Sequence, residues 1–188
     1  LPTEKKTPVY LQNALKTGNQ LQDILTEQFE TGKTGNEMLK AALDKAKNNG
    51  IKPQIYTHPI GYYGHGSGPT IGMWDKQDGV PINGDYPLYP NTAYSIELNA
   101  KVFIQEWNKE IAIMLEEDAF FDGEECRYID PRQTEMIEIV WEKYEPLEII
   151  LSIFGVKELL LLPENLSARN ESMTKNKILG FKHLKKLK

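Results

Sequence analysis

Apolar residues recur at helical spacing early in the chain, at Leu11, Leu15, Leu21, Ile24, Leu25 and Phe29, with Pro8 where a first helical turn would begin. This pattern predicts a long amphipathic helix. A break at Thr31-Gly32-Lys33-Thr34-Gly35 follows, with Thr34 and Asn36 available as caps, and then Met38, Leu39, Ala42, Leu43 and Ala46 mark a second helix that Asn48-Asn49-Gly50 ends. One apolar face on each helix calls for a sheet to pack against.

From Ile51 the texture changes to glycine, proline and aromatics, and residues 61–90 read as loop with short strands. Two stronger strands are expected after it, at Ala93 to Leu98 and at Ile111 to Leu115, the second continuing through Glu116 toward Phe121. Residues 102–110 are expected to connect them. Beyond Ile139 two apolar runs, Leu147 to Leu151 and Leu159 to Pro163, are too short and too interrupted by charge to span a membrane. Buried packing is the simpler expectation for them, and a frayed or solvated end is the simpler one for the lysine-rich tail after Thr174, although a basic amphipathic helix fits its spacing.

Composition narrows the partner classes. The chain has 188 residues, 40% hydrophobic and 26% charged, which suits one globular domain with an appendage. A formal charge of -5 argues against a general nucleic-acid binder, which needs a clustered basic face. No membrane partner is expected either, and a small peptide or other small molecule fits better. Cys126 is the single cysteine, so no internal disulfide forms, and a reducing, cytoplasmic setting is allowed without being required. The opening Leu1-Pro2-Thr3-Glu4-Lys5-Lys6 has neither an initiating Met nor a signal-peptide core, and reads as a cut inside a longer protein.

Three segments carry candidate chemistry. In the first, Thr57 to Gly68, His65 sits between glycines that allow close backbone approach to a ligand. On spacing alone such a histidine is more often a loop residue with a satisfied side chain. The second and third, Tyr94-Ser95-Ile96-Glu97-Leu98-Asn99 and Ile113-Met114-Leu115-Glu116-Glu117-Asp118, place carboxylates in or at the end of apolar strands. A carboxylate buried there must stay protonated, pair with a cation or bind metal. Histidine plus carboxylates is a donor set for manganese, cobalt, iron or zinc.

In order and spacing these segments resemble the C-terminal half of the creatinase, aminopeptidase and prolidase family. Gly64-His65-Gly66-Ser67-Gly68 is similar to its glycine–histidine–glycine ligand motif, Ser95-Ile96-Glu97 to its first glutamate strand, and Leu115-Glu116-Glu117-Asp118 to its last. The resemblance covers about residues 8–139, and its overall texture is nearest the Xaa-Pro aminopeptidase and dipeptidase branch. It implies an α+β pita-bread fold, here partial, with two helices followed by a curved antiparallel sheet over residues 1–139 and an extension of unknown role over 140–188.

The resemblance further implies a metal-dependent exopeptidase for short peptides, with two divalent ions, manganese foremost and cobalt or zinc as alternatives, and a homodimeric assembly. His65, Glu97 and Glu116 would be ligands, with Glu97 also the catalytic acid and base. Glu116 is preferred over Glu117 because Ala119, Phe120 and Phe121 then follow at the family's offsets. His58 would contact substrate, or simply make a structural hydrogen bond. The pattern is also broken: the family's two upstream aspartate ligands have no match, since Asp23 and Asp44 fall in the helical segments, so this polypeptide alone is expected to bind metal weakly and hydrolyse little. Met73-Trp74-Asp75 stands where a second histidine is usual. The alternative from another class is a non-catalytic pita-bread module that binds a peptide or protein in the same cleft.

Overall fold

A computed structural model describes residues 6–137. The expectations for the apolar runs, the basic tail and the extension over 140–188 lie outside the described residues. Two helices come first, α1 (Val9–Thr26) and α2 (Gly35–Asn48), and the strands are β1 (Lys52–Ile55), β2 (His58–Pro59), β3 (Thr92–Ile104), β4 (Lys109–Phe121) and β5 (Cys126–Tyr128). They form one antiparallel sheet in the order β1-β3-β4-β5, with the short β2 also pairing with β3. Among the described residues no helix is long and apolar enough to cross a membrane.

Pro8 is the N-cap of α1, where its fixed φ of -56° leads into the helix and its carbonyl accepts from the Leu11 and Gln12 amides. Thr34 starts α2 with a full capping box: its hydroxyl accepts from the Glu37 amide while the Glu37 carboxylate accepts from the Thr34 amide at 2.8 Å. Asn36, the other expected cap, instead bonds the Asp85 carboxylate and the Val80 amide.

Strand parity decides what each face of the sheet contains. On β3 the even residues Tyr94, Ile96, Leu98 and Ala100 are fully buried, and on β4 the odd residues Ile113, Leu115, Ala119 and Phe121 join them in one core with the helix faces. Gly18 of α1 sets the depth of contact, because a β-carbon there would lie 2.8 Å from the Leu115 side chain and 2.9 Å from that of Ile113. Both helices therefore cover this face. The other face carries Ser95, Glu97, Asn99 and Lys101 on β3 and Ala112, Met114, Glu116 and Asp118 on β4; all four of the β4 residues are exposed.

The β3 and β4 strands are longer than the sequence pattern predicts. Each runs 13 residues, and the expected connection over 102–110 shrinks to a 3-10 turn at Gln105–Trp107 closed by Asn108 in the left-handed region at φ 46°. The reason is that Lys101, Lys109 and Glu110 interrupt the apolar run while the backbone ladder continues.

Candidate functional site

The register of β3 on β4 pairs Glu97 with Glu116 directly and Ile96 with Glu117. Glu97 and Glu116 thus share the open face, and Glu117 points to the helix side, where its carboxylate accepts from the Gln133 amide at 2.9 Å. The Glu97 carbonyl accepts from the Tyr56 amide and from the Thr57 hydroxyl, so its backbone polar groups turn toward β1 and β2. Glu97 and Glu116 therefore form a non-hydrogen-bonded pair, the type with the shorter Cα separation of about 4.5 Å. Neither is buried in the way the apolar run around them implied: the Glu97 side chain is 24% exposed and Glu116 is exposed. Alternation puts the apolar neighbours on the other side of the sheet.

His58 on β2 pairs with Ser95 on β3 and reaches Glu97 diagonally, with Nε2 3.0 Å from Oε1. Its Nδ1 lies 3.1 Å from the Pro59 carbonyl oxygen, so both ring nitrogens face oxygens and the ring orientation is fixed. Ser95 donates from its hydroxyl to Glu116 Oε1 at 3.2 Å. His65 joins the group through His58: the two rings stack at 4.3 Å with 30° between planes.

The glycines around His65 serve that stacking by allowing a tight chain reversal. A β-carbon at Gly61 would lie 2.5 Å from the His65 carbonyl oxygen, and one at Gly66 would lie 2.4 Å from the Ile60 carbonyl oxygen. The Gly66 amide donates to the Pro59 carbonyl at 2.8 Å, which returns the chain beside β2. The loop is tied to the core from below by Tyr94, whose hydroxyl donates to the Pro69 carbonyl at 3.2 Å and whose ring meets Phe29 edge-on at 5.1 Å. Burial pushes the Tyr94 phenol well above its ordinary range, which keeps it a neutral donor.

His58 and His65 line one side of a cleft of about 680 Å³, whose remaining walls include Ser67, Asn83, Tyr86 and Tyr89. A smaller acidic depression of about 320 Å³ lies among Glu116, Glu117, Asp118 and Asp130. Trp74 is 71% exposed and does not line the cleft. Sequence reading missed Ser95, Asn83 and the two tyrosines. The available signal was the run Asp85-Tyr86-Pro87-Leu88-Tyr89, with its aromatics on either side of a proline and a leucine.

Among solved structures, an X-Pro aminopeptidase from Thermotoga maritima MSB8 is similar with a TM-score of 0.50 and 19% identity, over 68% of this chain and 34% of that one. The described residues form part of an α+β pita-bread domain. A recombinant prolidase from Thermococcus sibiricus matches with a TM-score of 0.46 and 13% identity, over 71% of this chain and 33% of that one. This chain spans about a third of the length of each. No protein-family model and no curated protein matches it.

The side chains present do not by themselves fit the pair of metal ions that the resemblance implies. Among the described residues, no group of three or more His, Cys, Asp or Glu is arranged to hold an ion. Glu97 is engaged by His58, Glu116 by Ser95, and His65 by ring stacking on His58. What the arrangement offers is a pair of facing carboxylates, one of them oriented by a histidine, on the open face near a cleft lined by no Lys, Arg, Asp or Glu.

Proposed function

We propose that this chain contributes part of the active site of an exopeptidase for short peptides, of the Xaa-Pro aminopeptidase or dipeptidase kind, whose remaining metal donors come from outside the described residues. The observation that carries the reading is the cross-strand Glu97–Glu116 pair on the open face, with His58 bonded to Glu97. Two like charges side by side cost free energy unless something uses them, and nothing in the packing of the sheet needs them there.

In this reading Glu97 takes up and returns the proton that moves during peptide cleavage, and His58 holds its carboxylate in place. His58 then has closer contact with the acid than His65, for which the resemblance implies a metal-ligand role. His65 and the cleft walls hold the peptide. The test is hydrolysis of Xaa-Pro dipeptides and tripeptides with manganese, cobalt and zinc offered in turn, together with metal content per chain. By itself the chain is expected to bind metal weakly and hydrolyse little; joined to a segment that supplies the missing donors it is expected to turn over at least one peptide, and Glu97→Gln to lose about 100-fold or more of that activity, as removal of a general acid–base group does.

The second reading, a non-catalytic pita-bread module that binds a peptide or protein, is favoured by the lack of a three-donor group among the described residues. Peptide binding without turnover under any of the metals, even when the missing donors are supplied, decides for it.

A further inference from the structure

Two cleft residues have no part in the proposed chemistry. Tyr86 and Tyr89 both line the cleft, yet their side chains are left in solvent, with 55% and 64% of their surface exposed. Large rings normally gain stability by burial, so two left exposed around the same cleft call for a reason.

The backbone beneath them is held firmly. Leu88, between the two, is fully buried in the core, its carbonyl accepts from the Gly32 amide at 2.8 Å and its amide donates to the Lys33 carbonyl at 2.9 Å. Asn36 of α2 donates to the Asp85 carboxylate at 2.8 Å, and its own carbonyl oxygen accepts from the Val80 amide at 2.7 Å. The Thr92 hydroxyl donates to the Tyr89 carbonyl at 2.9 Å. Exposed rings on a fixed backbone are a binding surface whose ordering cost is already met by the fold, since tyrosine has only two side-chain torsions to fix.

The rest of the lining says what such a surface would accept. None of the described residues around the cleft is Lys, Arg, Asp or Glu; the polar groups are the hydroxyls of Ser67, Thr70 and Thr92, the Asn83 amide and the two histidines. A charged side chain entering there would give up hydration, and the carboxylate beside the cleft, Glu97, is already engaged by His58. A flat neutral ring would meet the two tyrosines, and the volume of about 680 Å³ has room for one with its flanking peptide.

We infer that Tyr86 and Tyr89 are specificity-determining residues, and that the cleft takes a neutral, ring-bearing peptide side chain and disfavours charged ones. This rests on the reading that the cleft receives peptides. The test is binding of Gly-Xaa-Gly amides, with Xaa as Phe, Ala, Lys or Asp, to the 188-residue chain, followed by NMR titration and calorimetry. The Phe peptide is expected to bind about tenfold more tightly than the Ala peptide, with Lys and Asp no better than Ala. Tyr86→Ala and Tyr89→Ala should each weaken the Phe peptide about fivefold, while Tyr86→Phe and Tyr89→Phe keep its affinity. Tyr62→Ala, in the exposed loop and not part of the cleft lining, should change nothing.

Equal affinity for Phe and Lys, no binding of any peptide, or alanine variants that bind like wild type would overturn the inference. Hydrolysis of Xaa-Pro peptides, followed in parallel with manganese, cobalt and zinc, separates it from the exopeptidase reading. Ring-selective binding with no Xaa-Pro turnover even when the missing donors are supplied keeps this inference and counts against that reading; Xaa-Pro turnover without ring preference does the opposite.

Discussion

The two faces of the sheet are written on the same strands and obey different rules. On β3, Tyr94, Ile96, Leu98 and Ala100 are sealed under the helices, and the residues between them, Ser95, Glu97 and Asn99, carry polar groups on the other face. The covered face is fixed by packing, where every methylene removed is felt. The other face follows from register: Glu97 meets Glu116 because the residues on either side of each are locked into the core, and His58 and Ser95 then hold the two carboxylates. Stability and candidate chemistry are thus separable by counting in twos.

That separation predicts unequal costs. Leu98→Ala on the covered face should lower unfolding stability by about 3 kcal/mol, whereas Glu97→Gln, one residue away on the open face, should change it by less than about 1 kcal/mol. Urea titration of both variants checks this, and a similar loss for the two would break the contrast between faces. Gly18→Leu should cost about 2 kcal/mol by forcing α1 off Leu115 and Ile113, read by the shift in thermal midpoint.

A smaller effect is expected at the turn joining β4 to β5. The Asp122 carboxylate accepts from the Glu124 and Glu125 amides at 2.9 and 3.0 Å and from the Arg127 guanidinium at 2.5 Å, which together hold it down to about 2. A carboxyl depressed in the folded state adds stability above its ordinary range and loses that contribution as pH falls through about 2. Thermal unfolding between pH 5 and pH 2, compared with Asp122→Asn, should show a small acid-dependent difference that is largest at the upper end.

Much of the fold was legible in the sequence because helices and core strands announce themselves by period. Leu15, Leu21 and Leu25 marked α1, and Thr34 marked the start of α2. The outer ends of β3 and β4 were not legible, since Lys101 and Glu110 interrupt the apolar run without interrupting the ladder. In the site, Glu97 and Glu116 could be picked out as carboxylates set among apolar neighbours, but their exposure could not, because it depends on helices covering only one face. The contact of His58 with Glu97 was hidden for a different reason. It is set by the pairing of a two-residue strand with Ser95, thirty-seven positions away in the chain, and no local pattern encodes that.

The central claim is that Glu97 and Glu116 stand side by side on one face while Glu117 faces the other, and cross-strand disulfide formation tests it most directly. In a Cys126→Ser background, Glu97→Cys/Glu116→Cys occupies a non-hydrogen-bonded pair, whose Cβ separation of about 4.5 Å is close to what a disulfide needs. Mild oxidation should link it within one chain, and Glu97→Cys/Glu117→Cys should keep two free thiols. Linkage of the second pair in place of the first would contradict the register and, with it, the site.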